Sequence, residues 1–75
     1  MQKWEYLTVE LARFGVIAPG ETTARYANGH ELRDWKKVAL HTYLSQLGQD
    51  GWDMCGTLVI ESRAIEYLFF KRPKP

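Results

Sequence analysis

Cysteine is almost absent: Cys55 is the only one in 75 residues, so the chain cannot form an internal disulfide. Histidine is nearly as scarce, and Cys55, His30 and His41 fall outside any CxxC or HxxxH spacing, which leaves no expectation of a structural metal. Long apolar runs are missing too. Nothing approaches the roughly 18 uninterrupted apolar residues of a membrane span, and MQKWEYLTV at the start has no apolar core of signal-peptide length. Charge of one sign is also lacking: 10 Lys+Arg stand against 9 Asp+Glu, a net charge of +1 that argues against a strongly basic nucleic-acid module or an acidic tail. No GxxxxGKS/T, GxGxxG or HExxH pattern occurs, so neither a cofactor nor an enzymatic motif is expected. These absences lead us to expect a soluble, cytoplasmic protein with no membrane partner, and a lone cysteine agrees with a reducing compartment.

Seventy-five residues allow one domain, and a chain this short buries only roughly 60% of the surface its unfolded form exposes. Below about 70–80 residues a single core rarely supplies more than about 3–5 kcal/mol, and disulfides, a metal or a partner subunit commonly make up the difference. With the first two supports missing from the sequence, self-association remains, most simply as a homodimer.

What is present is a sharp change of period. Leu40, Leu44 and Leu47 repeat at helical spacing, with Tyr43 beside them, and the run ends in LGQDGW, after which the pattern becomes that of a strand. Gly48 is placed where a left-handed residue would end the helix, and Gly51 where the chain would turn before Trp52 enters the core. Asp34 is a suitable N-cap, followed by no Gly or Pro until Gly48, so a helix is expected over about 35–47. On that helix Trp35, Val38 and Ala39 form a second apolar stripe that needs either the 12–33 excursion or another subunit to cover it.

On either side of this helix lie strand patterns. WEYLTVEL, about 4–11, alternates with Leu7, Val9 and Leu11 on one face and Trp4 and Tyr6 on the other. ARFGVIAPG has no sustained period and reads as the end of the strand and a loop, whose Phe14, Val16 and Ile17, too apolar for a solvated tip, either contact a partner or fold back over the core. A short strand is expected at about 22–27, before Asn28-Gly29, the dipeptide best suited to a type I′ turn. A hairpin follows over about 52–72: WDMCGTLVIE puts Trp52, Met54, Leu58 and Ile60 on one face, with Gly56 marking a bulge or close approach, and AIEYLFFKR carries Ile65, Tyr67 and Phe69 on one face and Leu68 and Phe70 on the other. Apolar residues on both faces of that last strand imply an interior strand or an interface. Pro73 and Pro75 stop the ladder.

WEYLTVEL, LSQLGQDGW and YLFFKRP in this order resemble the small bacterial family known as domain of unknown function 4177, whose members read approximately WEY, LNxLGxxGWE and FKRP. Asp53 stands where that family usually has Glu, and the stretch 12–33 does not align with it. The resemblance implies a compact α+β domain with no established activity and supplies no catalytic residue.

Chemistry has little to build on. A thiol–imidazole pair of Cys55 with His30 or His41 would need a neighbouring base or positive environment, and Asp50 with Asp53 would need a cleft to act as paired carboxylates; an inert thiol and ordinary turn chemistry account for them better. Lys71, Arg72 and Lys74, with Lys3 beside Trp4 and Tyr6, could form a surface for single-stranded nucleic acid, or could simply keep the sheet soluble.

The sequence therefore leads to an α+β domain of ββαββ type, an antiparallel sheet with one helix packed on one face. We expect a non-catalytic, self-associating interaction or ligand-binding module, with Trp4, Tyr6, Trp35, Val38, Ala39 and Phe70 as the interface. A weak single-stranded nucleic-acid binder using Lys3, Lys71, Arg72 and Lys74 is the alternative. A small ligand is compatible with the first reading.

Overall fold

The computed structural model describes residues 1–14, 21–63 and 65–75, with Phe14 and Glu21 described by their backbone alone. The expectations for Val16 and Ile17, and for the Phe14 side chain, lie outside the described residues. Strand β1 spans Trp4–Phe14, β2 Glu21–Ala27 and β3 His30–Glu31; helix α1 spans Leu40–Gln49; β4 spans Asp53–Ile60, a single 3₁₀ turn Glu61–Arg63, and β5 Ile65–Pro73. The ββαββ order is present with a two-residue third strand added before the helix.

All pairings are antiparallel and the strand order is β3-β2-β1-β5-β4. The chain leaves the sheet at one edge, β3, and re-enters at the other, β4, so α1 is the link between the two edges. The molecule is thin, 49 × 26 × 18 Å. That least dimension suits one sheet with one helix on it.

Alternation along β1 decides the two faces. Leu7 pairs with Phe70 and Val9 with Leu68 and Ala27, and these face the helix. The buried set is Leu7, Val9, Leu11, Ala24, Leu47 and Phe70, with Leu40, Tyr43, Leu44 and Trp52 packed against it. The helix stripe read from the leucine spacing is therefore the one that docks. Phe70, at 3% exposure, belongs to this core and is not an interface residue. Truncating it to Ala would remove about 3–5 kcal/mol, as much as a core this small supplies. Strand β5 lies between β1 and β4, so its two apolar faces are those of an interior strand.

Asn28 and Gly29 form the expected turn, with φ of 50° and 81°. Asn28 also ties this turn to β1: its Oδ1 accepts from the Thr8 N–H at 2.8 Å, and its own N–H donates to the Thr8 carbonyl at 2.8 Å.

Three local expectations need correction. The helix starts at Leu40 and not after Asp34, whose φ of 54° is left-handed; Asp34 instead opens a turn in which the Lys37 N–H reaches its carbonyl at 2.9 Å. Ala39, in extended conformation (φ −62°, ψ 143°), is the N-cap and offers no side-chain hydrogen bond. Upstream of the helix Trp35 lies beside Arg25, whose guanidinium is 4.5 Å from the indole centroid, a contact with β2 that no helical spacing announces. Trp35, Val38 and Ala39 consequently form no helical stripe. Gly48 lies inside the helix, and Gly51 alone of the two takes positive φ, 87°. Finally, the register shifts between Met54 and Gly56, leaving Cys55 as a bulge; Met54 pairs with Phe70 on the helix side and Leu58 with Tyr67 on the other, so these two do not share a face.

Candidate functional site: the helix-free face and the outer strand

The face of the sheet opposite α1 carries Trp4, Tyr6, Thr8 and Glu10 from β1, Tyr67, Phe69 and Lys71 from β5, and Leu58 from β4, as the registers require. None of these belongs to the core cluster. Tyr6 is 64% exposed, Leu58 48% and Trp4 41%. Tyr67 and Phe69 stack at 6.3 Å between centroids, 18° from parallel, and Phe69 covers Gly56 on the neighbouring strand. A Cβ added at Gly56 would lie 3.9 Å from Phe69 Cδ2, in ordinary van der Waals contact with that ring.

Trp4 and Tyr6, read from the sequence as outward-facing, are there. The sequence reading missed Leu58 because the bulge at Cys55 reverses the faces downstream of it. Tyr67 and Phe69 were legible as one face of β5, but only the pairing with β1 shows that they lie beside Trp4 and Tyr6.

Cations sit over all three tryptophans. Lys71 Nζ is 4.6 Å from the Trp4 centroid, Arg25 covers Trp35, and the Arg72 guanidinium is 4.1 Å from the Trp52 centroid. Arg72 is on the helix side: it donates to Glu5 and, at 2.9 Å, to the Asp50 carbonyl at the end of α1, where a positive charge also suits the helix dipole. With both side chains about one-third exposed, the Glu5 pair contributes modestly, about 0–1 kcal/mol. The four cations proposed for nucleic acid are thus divided: Lys71 lies with Trp4 on the helix-free face, Lys3 and Lys74 meet through a 2.8 Å backbone bond at its end, and Arg72 is committed to the opposite side.

The structure does not bring the candidate catalytic groups together. His41 lines a cleft beside Thr22 and Thr23 of β2, whereas Cys55 lies on β4, with β1 and β5 between, a lateral distance of about 14 Å at the usual strand spacing. His30 is one strand farther away. Asp50 caps the helix C-terminus and Asp53 opens β4 opposite Lys71; both are exposed. Among the described residues no cluster of three or more His, Cys, Asp or Glu could hold a metal, and no helix is long and apolar enough to cross a membrane.

The His41 cleft holds about 350 Å³, with Lys36, Val38 and Leu40 also in its wall. That volume reaches the lower end of ligand sites, but such sites are lined mainly by apolar and aromatic groups. Two tyrosines are perturbed. Tyr67 is held above the ordinary tyrosine pKa first by a hydrogen bond to Glu10, its cross-strand partner, and Tyr43 by burial beside the core.

Comparison with protein families, with curated proteins and with solved structures finds no match for this chain.

Proposed function

We propose that the protein is a non-catalytic, self-associating module whose helix-free face and outer strand β4 are its association surface. One observation carries the reading. A folded monomer of 8.7 kDa is expected to expose about 4,700 Å², and this chain exposes 5799 Å². The difference of about 1,000 Å² is of the size that each partner gives to a standard interface, about 800 Å². The exposed large apolar side chains of the sheet are Trp4, Tyr6, Met54, Leu58 and Val59, and aromatic residues are enriched at interface centres. The resemblance to the domain of unknown function 4177 family is part of the proposal: WEY contributes Trp4 and Tyr6 to this face, while LGxxGW closes the helix and supports it from behind.

Mass by light scattering tests the proposal. The wild type is expected above monomer mass over a wide concentration range, and Tyr6→Glu with Leu58→Glu is expected to lower it. These two side chains are exposed, so the change leaves the core intact. A second reading draws on Lys71 over Trp4 beside Tyr6, a cation and two rings arranged as in single-strand binders. Against it, Asp53 stands opposite Lys71 and Glu10 lies on the same face. Salt-sensitive retention of a single-stranded oligonucleotide, lost in Lys71→Ser, would favour that reading over the first.

A further inference from the structure

The two edges of the sheet are treated differently. At one end β3 is only two residues long, and both, His30 and Glu31, are polar and exposed. Short, polar edge strands are a common protection against pairing with another chain. At the other end β4 is eight residues long, and from Met54 to Ile60 it carries no charge and no proline. Met54, Leu58 and Val59 are 44%, 48% and 56% exposed, so apolar side chains stand out on both faces of this edge. Its outer N–H and C=O groups have no neighbouring strand among the described residues.

We infer that two copies of this chain join along β4, antiparallel across a two-fold axis through Leu58, so that two five-stranded sheets become one sheet of ten strands. The inference rests on the self-association proposed above and adds how the copies meet. The register follows from the interruptions on β4. The bulge at Cys55 and the 3₁₀ turn at Glu61–Arg63 leave Gly56–Ile60 as the regular run. Only an axis through its midpoint pairs the whole run with itself: Leu58 with Leu58, Thr57 with Val59, Gly56 with Ile60. A two-fold contact must be self-complementary, and the charges agree. Asp53 precedes the run and Arg63 follows it, both exposed, so the same axis brings Asp53 of each copy to the Arg63 end of the other. An axis through Thr57 would instead bring Asp53 toward Glu61. The seam also lays the two helix-free faces side by side on one side of the ten-stranded sheet.

Disulfide trapping tests this register. In a Cys55→Ser background, Leu58→Cys places two cysteines directly opposite each other, with Cα atoms about 4.5–5.5 Å apart, inside the range a disulfide spans. Ile60→Cys places them about 14 Å apart along the strands, out of reach. With a mild oxidant, Leu58→Cys is expected to move largely to twice the chain mass on a non-reducing gel, while Ile60→Cys stays single. An oligomer in which neither site crosslinks, or both do equally, overturns the β4 seam and leaves self-association standing. A wild type that is monomeric at every concentration overturns both, leaving β4 open to a strand from a different protein. Amide exchange of the wild type reads the same seam without substitution: outward N–H groups of Gly56–Ile60 should slow as concentration rises, and unchanged rates contradict the seam.

Discussion

The Trp52 N–H donates to the Leu47 carbonyl at 2.9 Å, and between them Gly51 donates to the Gly48 carbonyl at 3.0 Å. These two bonds are the pair that closes a helix through a left-handed residue at C′. They bring Trp52 back onto the core that Leu47 enters, and they assign different duties to the two glycines of LGQDG.

Gly51 holds φ at 87°, which an L side chain adopts only with strain, whereas Gly48 is an ordinary helical position with nothing within 4 Å of an added Cβ. Gly48→Ala should therefore stabilise the fold by about 0.5–1 kcal/mol, and Gly51→Ala should destabilise it by about 1–2 kcal/mol. Thermal unfolding at one fixed protein concentration checks both, since 1 kcal/mol moves Tm by about 4–8 °C in a domain this size. Equal effects of the two substitutions would contradict this division.

Thr23 is 2% exposed and its hydroxyl has no hydrogen-bond partner among the described residues. An unpaired buried polar group costs about 1–3 kcal/mol, and valine has nearly the same shape and suits a strand equally well. Thr23→Val should raise stability, by about 1 kcal/mol after partial relaxation of the hydroxyl in the wild type. A loss of stability in denaturant unfolding would mean that the hydroxyl is satisfied in solution.

Glu10 and Tyr67 face each other across β1 and β5. The carboxylate accepts from the phenol and so favours the protonated form, which raises the Tyr67 pKa. A group raised on folding adds stability that is fully present below its unfolded pKa, about 10 for tyrosine, and loses it as pH climbs through the folded value. An absorbance titration should show two late-ionising tyrosines, Tyr43 and Tyr67, of which Tyr67→Phe removes one and Glu10→Gln shifts that same one down. A Tyr67 that titrates at the ordinary value in the wild type would exclude the bond.

Much of this fold is legible in the sequence because local signals agree with the global one. The alternation Leu7-Val9-Leu11, the stripe Leu40-Leu44-Leu47 and the Asn28-Gly29 turn each depend on neighbours close in the chain. The parts that are not legible depend on distant contacts or on a single inserted residue. Nothing near Asp34 announces that Trp35 will leave the helix to lie beneath Arg25. LGxxG contains two glycines suited to a helix exit, and only the backbone φ separates them. The extra residue at Cys55 turns Leu58 to the face opposite Met54, which hid the most exposed apolar side chain of the helix-free face on β4. The candidate surface was thus half visible: Trp4 and Tyr6 could be read, whereas Phe70 had to be reassigned to the core and Leu58 added.

The central claim is that the chain associates with a second copy of itself. The most direct test is the solution mass of the wild type by light scattering after size exclusion, across a wide dilution series. The account predicts at least twice the 8.7 kDa of a single chain, falling only at high dilution. A constant 8.7 kDa at every concentration would contradict it.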